Sequence, residues 1–256
     1  MRVHVICLPG GVAPAAQRYA PLLTAVGDGA ELHLKDLEVY RNAAPPADYS
    51  IELELDAIDR FADARSLDRF HLLGYSGGGF MSLAYAGTRP RRIISLALFE
   101  PASIPGPLTP EESAGFGALA EKLRGLDGPD FMAAFVREQL KPGVEPPPAP
   151  KSTSPEMQKR PAGIAAMMRA FRTYQFERSM LEACQFPVFL GYGDLTHDSE
   201  STRAGVLARL FQDIHVRRFP GIHHFVPPEQ IYTATHVRSL LDHWRRAEEL
   251  APQLPL

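Results

Sequence analysis

Leu72-Leu73-Gly74-Tyr75-Ser76-Gly77-Gly78-Gly79-Phe80 decides how this chain is read. The apolar residues ahead of it, Arg69–Leu73, have strand character, and the following Gly77–Gly87 has helical character. A G-x-S-x-G placed between strand and helix forces a sharp turn with a serine at its apex. A side chain two residues before or after that serine would collide with neighbouring backbone, hence glycine at 74 and 78. The turn lifts the serine oxygen above the carboxyl edge of a sheet. The helix N-terminus then faces any negative charge that develops there. Ser76 is therefore the candidate nucleophile. The blander reading is a glycine turn that packs closely or cradles a phosphate. The glycine spacing suits a dinucleotide fold poorly.

Outward from the turn, strand and helix alternate. Strands are expected at Arg2–Leu8, Glu31–Leu34, Arg69–Leu73, Arg92–Phe99, Phe186–Tyr192 and Ile214–Phe219. Helices are expected at Pro14–Val26, Ser50–Arg65, Gly77–Gly87, Ser199–Phe211 and Pro228–Glu248. Arg92–Phe99 is almost wholly apolar, which suits a strand covered on both faces of a parallel sheet. The expectation is an α/β fold with a doubly wound, mostly parallel sheet of six strands.

Residues 103–183 break the rhythm. Thr109-Pro110-Glu111-Glu112 is a capping box with proline at the first helical position, starting a helix that ends near Gly125. Asp130–Leu140, Ala162–Phe171 and Tyr174–Cys184 also read as helices. Lys141–Pro161 carries seven prolines and reads as a loop of mobile composition. The expected organisation is a core of residues 1–102 and 184–256 with a helical lid, 103–183, inserted between its halves. Phe116, Phe131, Phe135, Met167, Met168, Phe171, Tyr174 and Phe176 offer the lid an apolar face, for substrate or simply for packing onto the core.

Two loops flank the serine turn. Leu8-Pro9-Gly10-Gly11-Val12 ends the first strand. There a backbone N–H, with Gly11 preferred and Val12 second, can join that of Gly77 to hold a tetrahedral oxyanion. Phe219-Pro220-Gly221-Ile222-His223-His224-Phe225-Val226-Pro227 follows the last strand and supplies a base, with His224 preferred to His223. The orienting carboxylate stays open among Glu100, Asp194 and Asp198, each beyond the carboxyl end of a strand. A zinc site built from His223, His224, His197 and Asp198 lacks recognisable ligand spacing.

These motifs together resemble the α/β-hydrolase superfamily. The resemblance covers nearly the whole chain but is specific only in the serine turn, the first loop, the inserted lid and the final histidine loop. Superfamily members include esterases, lipases, thioesterases, carbon–carbon bond hydrolases, epoxide hydrolases, dehalogenases and cofactor-free peroxidases. Three departures stand out. Pro9-Gly10 replaces the usual His-Gly. The chain begins at what resembles the family's third strand, so the expected sheet order is second, first, third, fourth, fifth, sixth. The family's usual acid position aligns with Thr196, which cannot serve, or with Asp194 under a shifted alignment. In some relatives, including the haloalkane dehalogenases, the acid follows the preceding strand, and Glu100 matches that placement. The resemblance thus favours Glu100 over Asp194. A serine in place of the aspartate of dehalogenases and epoxide hydrolases implies ester, thioester or similar activated carbonyl substrates.

The net charge of -3 and the 45% hydrophobic content favour neither nucleic acid nor an anionic membrane. No apolar stretch approaches a bilayer span and no secretory signal opens the chain, so a cytoplasmic location is expected. Cys7 and Cys184 read as buried free thiols. No cofactor and no metal are expected. The expected partner is a small-molecule substrate, small to medium in size and partly apolar, and a homodimer stays open. The competing reading is a non-catalytic small-molecule-binding protein of the same fold; a second enzyme reading is a cofactor-free peroxidase on the same three residues.

Overall fold

The computed structural model describes residues 3–148 and 154–251. Six strands form one parallel sheet: β1 (His4–Leu8), β2 (Glu31–Leu34), β3 (Phe70–Tyr75), β4 (Ile93–Phe99), β5 (Val188–Gly193) and β6 (Ile214–Phe219). Their order is β2-β1-β3-β4-β5-β6, as expected from sequence. Each parallel neighbour requires a crossover, and helices supply it. In chain order these are α1 (Ala15–Val26), α2 (Ile51–Asp63), α3 (Gly77–Thr88), α4 (Pro110–Lys122), α5 (Gly128–Arg137), α6 (Pro155–Gln158), α7 (Arg160–Thr173), α8 (Ser179–Glu182), α9 (Ser199–Leu210), α10 (Pro228–Ile231) and α11 (Ala234–Leu250).

The sheet is covered on both faces. Tyr19 and Leu22 of α1 pack with Leu240 and Trp244 of α11 on one side. Leu55 and Ile58 of α2, Phe80 and Leu83 of α3 and Leu207 of α9 pack on the other. Burial on both faces explains why β3 and β4 read as apolar runs rather than alternating ones. Cys7 and Cys184 are both buried and free. Burial pushes the Cys184 thiol up to about 12, so it stays protonated and unreactive.

Helices α4 to α8 fill the connection between β4 and β5. The capping box at α4 forms as expected: Glu112 N donates to Thr109 Oγ1 at 3.2 Å and Thr109 N to Glu112 Oε2 at 2.8 Å. Three expectations need correction. Tyr174–Cys184 is not one helix, because only Ser179–Glu182 is helical. Arg178 reaches back to make a paired contact with Glu112, at 3.1 and 3.0 Å, and the Phe176 ring packs against Gly87. These distant anchors pull residues 174–177 out of helical geometry. Pro228–Glu248 is likewise two helices, broken at Tyr232–Thr233. There the Thr233 side chain accepts from His236 N and starts α11 afresh. The expected loop at Lys141–Pro161 contains the short α6 and the start of α7, and residues 149–153 of it lie outside the described residues.

Two histidines of α11 are buried. Burial, foremost, pushes His236 down to about 4 and His243 down to about 3. In the unfolded chain both titrate near 6.5, so unfolding takes up protons below that pH and stability falls with falling pH. Between about pH 7 and about pH 5 the loss should be on the order of 2 kcal/mol per histidine. A urea titration at the two pH values checks this, and an unchanged midpoint would contradict neutral burial of these rings.

Candidate active site

Four loops converge at the carboxyl edge of the sheet. The first leaves β3. Ser76 adopts φ 53° and ψ −118°, a left-handed conformation that a non-glycine residue holds only under constraint. The constraint is visible in its bonds. Ser76 N donates to Phe99 O at 3.1 Å, and Ser76 O accepts from Ala102 N at 2.9 Å and Phe80 N at 3.1 Å. A Cβ at Gly78 would stand 2.5 Å from the carbonyl oxygens of Leu8 and Pro9, and one at Gly74 would strike Ser82 Oγ. The glycines of the motif are thus required by the close passage of chain on either side.

The second loop leaves β4. Glu100 has φ 45° and is fully buried. Its Oε2 lies 2.6 Å from His224 Nδ1. Its Oε1 accepts from Gly193 N at 2.7 Å and from Thr196 Oγ1 at 2.6 Å. Every sector of this carboxylate is therefore used, which is what makes burying its charge tolerable. The third loop leaves β6 and carries His224, 2% exposed, whose Nε2 lies 3.0 Å from Ser76 Oγ. Tyr75 fixes this loop twice: its hydroxyl donates to His224 O and its ring stacks on the imidazole with centroids 5.0 Å apart. Burial pushes the Tyr75 phenol well up, so it remains a donor. Arg18 covers the Tyr75 ring at 4.0 Å.

The fourth loop leaves β1. Pro9 O accepts from Gly78 N at 3.0 Å, tying this loop to the serine turn. Gly11 N stands 3.9 Å from where a Cβ on Gly77 would be, so Gly11 and Gly77 are neighbours. Met167 of α7 packs against both glycines: its Sδ is 3.1 Å from the Gly77 Cβ position and its Cε 3.0 Å from that of Gly11.

Ser76, His224 and Glu100 are thus brought together, and Gly11 and Gly77 are adjacent to them. Asp194 is not part of this group. Its Oδ1 accepts from Gly221 N at 2.8 Å and its Oδ2 lies 3.8 Å from Arg218. It braces the turn that leads into the histidine loop. Asp198 pairs with Lys141 at 3.1 Å. His223 turns away, its Nδ1 accepting from Phe225 N, and burial lowers its basicity. The sequence set Thr196 aside as an acid and did not mark it as a partner of one, nor did it mark Tyr75 or the packing of Met167 against Gly11 and Gly77. Thr196 donates its hydroxyl to Glu100 Oε1. No local pattern signals that partnership.

Among the described residues, the side chains of His4, Glu31 and His33 lie near enough to one another to share a metal ion. They sit at the starts of β1 and β2, the opposite end of the sheet from Ser76. Nothing in the serine site gathers metal ligands of that kind.

A family model described as alpha/beta hydrolase fold matches residues 4–225. A comparison with curated proteins returns no match. Among solved structures, MenH from S. aureus is 16% identical with a TM-score of 0.72, covering 96% of this chain and 94% of that one. A thermophilic esterase from Thermogutta terrifontis is 18% identical with a TM-score of 0.71, covering 96% of this chain and 90% of the esterase. A haloalkane dehalogenase loop variant from Bradyrhizobium elkanii is 16% identical with a TM-score of 0.68, covering 98% and 92%. At such identities these similarities establish a common fold and leave substrate open.

Proposed function

The chain belongs to the alpha/beta hydrolase fold family, and on that premise we propose that it is a serine hydrolase acting on an ester, thioester or similarly activated carbonyl. The observation that carries this reading is the continuous relay from Ser76 Oγ through both nitrogens of His224 to Glu100, at 3.0 and 2.6 Å. With Glu100 ionised, Nδ1 carries the proton and Nε2 presents its lone pair to the serine. His224 then takes the proton as Ser76 Oγ attacks the carbonyl carbon. Glu100 stabilises the resulting imidazolium, and the tetrahedral oxyanion sits against the Gly11 and Gly77 amides. His224 returns the proton to the leaving group. A water, activated by the same nitrogen, releases the acyl group from Ser76.

Met167, packed against Gly11 and Gly77, is the side chain that a bound acyl group would displace. A methionine has three rotatable bonds and can give way without backbone rearrangement. Ile164 and Phe171 flank it on α7, which suits a small to medium, partly apolar substrate. The segment 103–183 is then a lid in function as well as position.

A fluorophosphonate probe tests the reading directly. One adduct is expected, on the peptide containing Ser76, and it should vanish after heat denaturation. Folded protein that resists labelling would favour the non-catalytic binding reading and end the hydrolase one.

A further inference from the structure

Near Gly11 lie two buried polar groups that face each other. Tyr40 Oη and Arg160 Nη1 are both shielded from solvent, and apart from each other neither has a hydrogen-bond partner. Tyr40 Oη stands 3.3 Å from the Cβ position of Gly11. The Arg160 guanidinium lies over the Tyr40 ring, with Cζ 4.0 Å from its centroid. Arg160 is 1% exposed. Arg160, Ile164 and Met167 form one stripe of α7, spaced at four and three residues. The last two of them touch the Gly11 loop.

The pair is held in place by deliberate fastening. Glu54 is buried and accepts from the backbone of Glu38 at 2.8 Å and of Val39 at 3.1 Å, fixing the turn that carries Tyr40. Lys159 Nζ donates to Tyr40 O at 2.7 Å, and Arg160 Nη2 donates to Glu156 at 2.9 Å. Nη1 and the phenol have only each other. Outside them opens a hollow of ≈ 740 Å³. Its cations are Lys35, Arg41, Arg60, Arg65, Lys159 and Arg160, against three carboxylates, Asp36, Glu38 and Glu156. Buried donors with so few partners are costly to keep, the charged one most of all, so two together beside the Gly11 loop call for a ligand that satisfies them.

We infer that Arg160 and Tyr40 form a subsite for a carboxylate carried by the substrate. One guanidinium N–H and one phenol O–H match the two oxygens of a carboxylate, and the cationic hollow draws an anion toward them. Burial keeps the Tyr40 hydroxyl protonated and able to donate. The substrate class is therefore a half-ester or half-thioester of a dicarboxylic acid, or a close analogue. This rests on the hydrolase reading for which bond is cut, but not for binding.

The test has two arms. In the first, p-nitrophenyl hemiesters of succinate, glutarate and adipate are compared with the neutral butyrate, pentanoate and hexanoate esters. For at least one length the hemiester should have a KM about tenfold lower than its neutral counterpart. Arg160→Met should abolish that preference and Tyr40→Phe should reduce it severalfold. Tyr40→Phe removes an oxygen with no partner besides Arg160 and keeps the ring under the guanidinium, so its fold should stand even where Arg160→Met does not. In the second arm, calorimetry measures binding of the free dicarboxylates, of butyrate and of inorganic phosphate to the same proteins. A dicarboxylate should bind tightest, and Arg160→Met or Tyr40→Phe should weaken it. Neutral preference at every length, a preference that survives both substitutions, or tighter binding of phosphate would overturn the inference. No turnover of any ester, with dicarboxylate binding intact and sensitive to Tyr40→Phe, would instead sink the hydrolase reading and leave the subsite standing.

Discussion

Ser76→Ala is expected to lower kcat by about 10⁵–10⁶-fold on any ester the protein turns over. The size follows from the relay. Ser76 Oγ is the acceptor-donor at its head, 3.0 Å from His224 Nε2, and no other hydroxyl bonds to that nitrogen. Without it the imidazole has nothing to activate except water. His224→Ala should cost nearly as much, and the double substitution little more than either alone, because nucleophile and base act as one unit. The residual rate should still exceed that in buffer by about 10³-fold, since the Gly11 and Gly77 amides remain to hold an oxyanion. Steady-state kinetics on an activated ester at saturating substrate make the measurement. A serine variant that keeps more than about a hundredth of wild-type activity would place the nucleophile elsewhere.

Glu100→Gln should lower kcat by about 10⁴-fold while the protein stays folded. The reason is in the bonds of the carboxylate. Oε1 faces two donors, Gly193 N and Thr196 Oγ1. The carbonyl of a glutamine must therefore take that position, and its NH₂ must face His224. An NH₂ there makes Nδ1 the acceptor and drives the imidazole proton onto Nε2, which can then no longer accept from Ser76. Asp194→Asn carries the opposite expectation. Asparagine Oδ1 can still accept from Gly221 N, so kcat should change less than about threefold, with any loss confined to stability. Paired kinetics of the two variants decide between the two carboxylates. A large loss in Asp194→Asn with little in Glu100→Gln would reverse the assignment.

Much of this architecture is legible in the sequence. The six strands follow from apolar runs punctuated by glycine and proline, clearest in the central strands that are covered on both faces, and their order from the family resemblance. The serine turn is legible because its glycines answer to backbone only a few residues away or on the next strand. Helix ends are less so. Residues 174–177 and 232–233 read as helical from local spacing, yet Arg178 and Thr233 bond elsewhere and end or restart the helix there.

The sequence by itself determined the fold class and the residues worth naming, because these rest on periodicities and turn chemistry that act over a few residues; the strand order came with the family resemblance those motifs carry. Only the tertiary structure decided which carboxylate faces the histidine. Glu100 and His224 are 124 residues apart, and Ser76 and His224 148. Meetings at such separations depend on strand register and on how each loop leaves the sheet. Glu100 reaches His224 because β4 lies next to β5, which lets Gly193 and Thr196 hold its second oxygen. Asp194, one residue past β5, is turned instead toward Gly221. The same holds for Met167 against Gly11 and Gly77 and for Tyr40 under Arg160. No spacing along the chain announces either contact, because each is made by a helix of the insertion folding back onto the edge of the sheet.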